Sequence, residues 1–74
     1  MLRLMVKSSA ITSFGYDERT RILEIEYRNG KTYRYFRVPR AVYQTLLHSE
    51  SKGKFMNVFV KKYFKYQKVL PKSR

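Results

Sequence analysis

The segment 21–28 (Arg-Ile-Leu-Glu-Ile-Glu-Tyr-Arg) alternates apolar and polar residues with period two, and 31–37 (Lys-Thr-Tyr-Arg-Tyr-Phe-Arg) does the same. That period belongs to strands, whose successive side chains point to opposite faces. Between the two lies Asn29-Gly30, a strong short-range hairpin signal. Turn length sets the register, and a one-residue slip moves every side chain to the other face. A two-residue turn would stack Arg28 on Lys31 and put Tyr33 and Tyr35 opposite Glu26 and Glu24, away from Leu23 and Ile25. A three-residue loop with Gly30 in the left-handed conformation instead pairs Tyr27 with Lys31, Ile25 with Tyr33, Leu23 with Tyr35 and Glu24 with Arg34. This second register makes one face apolar and gives the other a charge pair, so the bulged turn is the expectation.

An earlier strand is expected over 10–16, turning at Asp17-Glu18-Arg19-Thr20, and 2–6 reads as either a further extended piece or a covering arm. Val38-Pro39 closes the strand region, and the fixed φ of proline suits helix entry. Val42, Tyr43, Leu46 and Leu47 then recur at helical spacing, which predicts a helix over 39–48 that breaks at His48-Ser49-Glu50. Ser51 is a plausible cap for a second helix, running from 52 to between 62 and 68. At 100° per residue, Phe55, Met56, Phe59, Val60, Tyr63 and Tyr66 fall in an arc of about 140°, with Lys54, Lys61, Lys65 and Lys68 within about 60° on the other side. Gly53 weakens the first turn, and 70–74 should fray. No repeat or linker appears. The reading is one α+β domain over 1–74, a small antiparallel three-stranded sheet followed by two helices (β-β-β-α-α).

Composition narrows what such a domain does. The 74 residues hold 17 Lys plus Arg against 5 Asp plus Glu, a net charge of +12, and the 43% hydrophobic content is too rich for a disordered chain. The absence of cysteine removes disulfides and thiolate metal sites. No run approaches the roughly 18 apolar residues of a membrane span, and Met1–Lys7 is too short and interrupted for a signal peptide. The expectation is a soluble cytoplasmic protein without a membrane span. Residues 1–38 carry eight basic residues against four acids, whereas 39–74 carry nine against Glu50 alone. Folding does not require that excess, and self-repulsion opposes compactness, so a polyanionic partner is the first inference. The plainer alternative is a device for solubility.

Catalytic groups do not converge. His48 is the only histidine and sits at a helix end; Glu24 and Glu26 lie among arginines; Ser8, Ser9 and Ser13 have no partnered base. No metal-ligand spacing or phosphate-binding glycine motif is present. The chain reads as a non-enzyme with no cofactor and no small-molecule substrate. Single-stranded nucleic acid, by contrast, is held by a cationic track and by aromatic faces on which bases stack. The track would comprise Lys52, Lys54, Lys61, Lys62, Lys65 and Lys68 from the second helix with Arg34 and Arg37 from the sheet. Tyr33 and Tyr35 are the candidate base stackers, although the preferred register aims both inward as core.

The order Ser8-Ser9, Ile11, Gly15-Tyr16-Asp17, Leu23-Glu24-Ile25-Glu26-Tyr27, Asn29-Gly30, Tyr33-Arg34-Tyr35-Phe36, Val38-Pro39, Tyr43, Leu46-Leu47 and Ser51-Lys52-Gly53-Lys54-Phe55-x-Asn57 resembles the KTSC domain. That module occurs at the C-terminus of some lysyl-tRNA synthetases and as a stand-alone small protein, and its central mark is Tyr-x-Tyr, here Tyr33-Arg34-Tyr35. The resemblance spans about residues 8–66. It implies a candidate RNA-binding module, and no aminoacylation by this chain. Met56 and Val58-Phe59-Val60 stand where a more polar stretch is expected, which allows an apolar contact such as a dimer.

The leading expectation is therefore a nucleic-acid-binding module that prefers RNA to DNA. Second comes a protein-interaction or self-associating module acting through Phe55, Phe59, Tyr63 and Phe64. A weaker third is a basic helix lying on anionic lipid, which requires its apolar arc to be free of the sheet.

Overall fold

The computed structural model describes residues 2–5, as backbone, and 8–69. Its elements are β1 (Leu2–Met5), β2 (Ile11–Asp17), β3 (Ile22–Tyr27), β4 (Thr32–Tyr35), α1 (Arg40–His48), α2 (Lys52–Phe55), a π-helical turn (Met56–Val60), α3 (Lys61–Tyr63) and β5 (Tyr66–Val69). The α+β class holds, but the sheet has five antiparallel strands in the order β1-β2-β3-β4-β5 where three were expected. Both additions lie at the edges. The ambiguous start of the chain pairs with β2, Leu2 opposite Tyr16 and Met5 opposite Ser13. The other addition replaces the end of the expected second helix.

The β3–β4 hairpin takes the bulged register. Leu23 pairs with Tyr35, Glu24 with Arg34 and Ile25 with Tyr33, and the Tyr27 N–H donates to the Lys31 carbonyl at 2.8 Å. Gly30 sits at φ +86°, in the region that only glycine occupies without cost. Asn29 Oδ1 accepts from the Lys31 N–H at 2.9 Å and finishes the turn. The face away from the helices carries the expected ion pair, Arg34 Nε to Glu24 Oε2 at 2.8 Å, beside Ser13 Oγ donating to Glu26 Oε1 at 3.1 Å.

Both helical segments pack on the other face. Ile11, Phe14, Leu23, Ile25, Tyr35, Val38, Leu46, Met56 and Val60 form one buried cluster. Pro39 precedes α1 at φ −65°, and its carbonyl receives the Val42 N–H at 3.0 Å. Tyr43 from α1 stacks on Tyr16 at 4.6 Å between ring centroids, and the Tyr16 hydroxyl donates to the Val38 carbonyl at 2.6 Å. These contacts hold α1 against β2.

The second helical run is continuous over 52–63 but departs from the expectation in two ways. First, a π-turn interrupts it: the Lys61 N–H donates to the Met56 carbonyl five residues back. The extra residue in that turn rotates the remainder of the run back by roughly the 100° of one helical position. Met56 and Val60 stay buried, while Phe59 is 37% exposed and Tyr63, expected inward, is 65% exposed. Second, the run ends at Tyr63, because Phe64 adopts extended backbone (φ −122°, ψ 142°). Tyr66–Val69 then pairs with β4, Tyr66 opposite Tyr35 and Thr32 opposite Val69. Strand pairing satisfies the edge of β4 and packs Tyr66 against two sheet tyrosines, whereas continued helix would set Lys61 and Lys65 one turn apart at a cost of a few tenths of a kcal/mol. The four-lysine spine therefore does not exist: Lys54 and Lys61 are helical, Lys65 lies in the connection and Lys68 in β5. The expected fraying of 70–74 lies outside the described residues.

Gly30 gives the fold its sharpest test. Nothing lies within 4 Å of a Cβ placed there, so conformation alone sets the cost. Gly30→Ala should lower stability by about 1–2 kcal/mol, and Gly30→Asn by less, as read from urea midpoints. Equal stability of all three would show that the bulged turn does not fix the register.

Candidate functional site

The register leaves three tyrosines of the hairpin, Tyr27, Tyr33 and Tyr35, on the helix-facing side, and β5 adds Tyr66 beside them. Their rings form one aromatic floor: Tyr27 and Tyr33 meet edge to face at 5.8 Å, Tyr33 and Tyr66 likewise at 5.8 Å, and Tyr35 and Tyr66 at 5.3 Å. Over this floor is a half-open cavity of about 660 Å³, walled by the Ser8-Ser9-Ala10 turn on one side and by Ser51–Lys54, Asn57 and Lys61 on the other.

Each wall has a local cause. Ser8 Oγ accepts from the N–H groups of Ala10 and Ile11 at 3.1 and 3.2 Å, a hydroxyl-closed turn at the entry to β2. Gly53 lets the start of α2 approach that turn: a Cβ at 53 would stand 2.7 Å from Ala10 Cβ, closer than two carbons can come. Lys52 Nζ donates to the Ser49 carbonyl at 2.9 Å, which holds its ammonium at the rim. Lys61 Nζ lies 5.9 Å above the Tyr66 ring, in cation–π range.

At the base of the cavity the Tyr27 and Tyr35 hydroxyls meet at 2.7 Å. Burial raises the pKa of Tyr35 far above the ordinary phenol value, and its bond to Tyr27 pushes the same way. Burial also raises Tyr27, although its bond to Tyr35 works in the opposite direction. Both phenols stay neutral at physiological pH and keep their protons for hydrogen bonding.

The structure sorts the sequence-predicted residues into separate places. Lys52, Lys54, Lys61, Tyr33 and Tyr35 come together around the cavity. Arg34 is tied to Glu24 on the opposite side of the sheet and shares a shallower hollow with Lys68. Arg37 sits at φ 57° in the exposed bend between β4 and α1. Lys62 lies over the Tyr63 ring at 5.8 Å, and Lys65 is exposed, its carbonyl accepting from the Phe36 N–H. Neither arginine lines the cavity, so a single cationic track joining sheet and helix is not formed. Tyr35, at 2% exposure, has no open ring face and cannot stack a base; it offers its hydroxyl edge instead. Tyr33 is half-buried.

Ser8, Ser9, Tyr27, Asn57 and Tyr66 are among the other residues of the lining. All but Tyr66 belong to the ordered set of residues on which the family resemblance rests, so widely spaced members of that set converge on one cavity. Tyr66 had no such signal, because its position on a strand was hidden in a helical pattern. Among the described residues no group of three or more His, Asp or Glu is placed to hold a metal, and no helix is long and apolar enough to cross a membrane.

Residues 7–64 match the family model described as the KTSC domain. The crystal structure of a KTSC domain protein from Yersinia pestis superimposes with a TM-score of 0.88 at 39% identity, covering 93% of this chain and 97% of that one. An uncharacterized protein of Stutzerimonas stutzeri is 40% identical over 70 residues, covering 93% of this chain and 99% of its own length. A lysine–tRNA ligase of Nostoc punctiforme is 38% identical over 66 residues; the match takes in 89% of this chain and 12% of that enzyme.

The close approach at Gly53 can be tested by substitution. Helix propensity alone would make Gly53→Ala stabilising by up to ~1 kcal/mol. The contact with Ala10 reverses the sign, so Gly53→Ala should lower the urea midpoint, and adding Ala10→Gly should recover most of the loss. A double-mutant cycle with no coupling between positions 10 and 53 would show that the two walls do not touch.

Proposed function

The chain belongs to the KTSC domain family, and from that premise we propose that it is an RNA-binding module whose contact surface is the tyrosine–lysine cavity. One observation carries the reading: Lys52, Lys54 and Lys61 converge with four tyrosines on a single concavity. Cations that neutralise phosphates and aromatic groups that meet bases are the two devices of single-strand binding. The surrounding Lys62 and Lys65 are exposed near the end of the helical run and extend the positive field beyond the rim. A second support comes from context: the related segment in the Nostoc punctiforme protein forms part of an enzyme named for a tRNA.

Tyr33 and Tyr66 are the residues offered to a base, because Tyr66 is 42% exposed and borders Tyr33. Tyr35 and Tyr27 hold the floor and donate hydrogen bonds. The domain acts as a binding module without chemistry of its own.

An apolar contact is favoured by a separate observation. Phe55, Phe59 and Tyr63 form a ring ladder along the helical run, at 5.4 and 5.1 Å, and Phe59, Tyr63 and Val58 are exposed. Association through this ladder is the second reading, and it predicts a dimer mass in light scattering that persists in high salt. A monomer at high salt removes it. Binding by a free amphipathic helix on lipid loses its support, since Met56 and Val60 are committed to the core.

NMR titration with short RNA and DNA oligomers at two ionic strengths tests the main reading. Shifts should concentrate at Lys52, Lys54, Lys61, Tyr33 and Tyr66. With three to five phosphates neutralised, log K should fall with log salt at a slope of about −2 to −3.5. Lys54→Gln with Lys61→Gln should weaken binding and flatten that slope by about 1.4. Absence of binding, or shifts confined to the Arg34 side of the sheet, would overturn the assignment.

A further inference from the structure

Nearly every polar side chain around the cavity is able to donate a hydrogen bond. Lys52, Lys54 and Lys61 bring ammonium groups, Asn57 an amide, and Ser9 and Ser51 hydroxyls. The Tyr27–Tyr35 contact adds another: in an O–H···O–H pair one proton lies between the oxygens, and the acceptor's own proton remains to be donated outward. Glu50 is the only carboxylate among the described lining residues, so three lysines and one glutamate leave a local charge of +2. A ligand that satisfies such walls must be rich in acceptors and carry close to two negative charges. An internal phosphodiester carries one. A phosphomonoester carries about −1.5 to −2 at neutral pH and presents three acceptor oxygens.

Size points the same way. At about 660 Å³, the cavity falls within the ~300–1,000 Å³ typical of pockets that hold one small ligand. It accommodates a single nucleotide unit rather than a run of them. Its two ends also differ in chemistry. Lys52, Lys54 and the Ser51 hydroxyl stand at the helix-start wall and Ser9 on the wall across from it, while Tyr33 and Tyr66 meet at 5.8 Å in the aromatic floor, which suits a flat ring.

We propose that the cavity captures a phosphomonoester carried on a nucleotide unit, supplied either as a free mononucleotide or as the phosphorylated end of a strand. The strand-end source rests on the RNA-binding reading above; the mononucleotide source does not. Lys54 and Lys61 are the residues that discriminate the second phosphate charge, and the Tyr27–Tyr35 hydroxyl pair is the neutral donor at the base.

Calorimetric titration of the full chain separates the sources. The probes are adenosine, adenosine monophosphate, inorganic phosphate, and one short RNA prepared with a 5′-phosphate, a 3′-phosphate or hydroxyls at both ends. Adenosine monophosphate should bind about tenfold more tightly than adenosine, and at least one phosphorylated RNA about tenfold more tightly than its hydroxyl-ended form. Lys54→Gln and Lys61→Gln, both at exposed positions, should each reduce that preference while leaving the amide spectrum folded. Equal affinity for phosphorylated and hydroxyl-ended RNA, together with equally weak or absent binding of monophosphate and nucleoside, overturns the inference and leaves RNA binding standing. A monophosphate preference with no binding of any oligomer upholds it and removes the RNA reading. Inorganic phosphate binding as tightly as the monophosphate overturns the claim that a nucleotide is recognised.

Discussion

With Gly30 at φ +86° the β3–β4 connection takes three residues rather than two, and that parity decides which side chains meet the helices. Leu23 and Ile25 of the central strand then share a face with Tyr35 and Tyr33. One residue less would turn both tyrosines toward Glu24 and Glu26 and set Arg34 beside Ile25 on the face that meets the helical run. Core, aromatic floor and cavity all depend on the same turn. A side-chain period of two makes the choice all-or-none, so no intermediate arrangement shares the two outcomes.

A domain of this size has little apolar area to spare, and the tyrosines resolve a competition between core and site. Tyr35 is buried with Phe14, Leu23 and Ile25, yet its hydroxyl reaches the cavity. A buried phenol without a partner costs roughly 1–3 kcal/mol; pairing Tyr35 with Tyr27 at 2.7 Å removes that penalty without closing the cavity. Phenylalanine would supply the same ring area and no donor. The ring stabilises the fold while the oxygen, held by Tyr27, borders the cavity.

Much of this was legible in the residues. The bulged register could be chosen by comparing faces, because only one of two parities put Tyr33 and Tyr35 with Leu23 and Ile25. Pro39 and Leu46 marked the start of α1 and the buried stripe through local rules that act within a few residues, and Ser51 stands at the N-cap position of α2, although its side chain makes no capping bond. What escaped detection was non-local. Tyr66–Val69 has helical spacing with respect to Tyr63 and strand spacing with respect to itself, and only the unpaired edge of β4, more than thirty residues away in the chain, selects the strand. The π-turn at Met56–Val60 has no signature in a pattern read at 3.6 residues per turn, and it turned Tyr63 outward. For the site, the residue types were legible and their geometry was not. Lys52, Lys54 and Lys61 do come together, but around a concavity instead of along a line.

The distribution of charge explains why a concavity is the better answer. Glu24 carries a bond to Arg34, and Glu18 lies 3.2 Å from Arg40, so acids of the chain's first half offset arginines on the sheet and at the start of α1. After Glu50 the chain supplies no acid, and the lysines of α2 and α3 must be screened by water or by something bound. Exposed lysines on a convex helix face are screened by water at little cost. Lys54 and Lys61 are exposed at the cavity wall as well, and the Lys52 ammonium is held by the Ser49 carbonyl. The cavity thus gathers three lysines against one carboxylate, Glu50, among its described lining residues, a local excess that an even spread of the same total charge would not give.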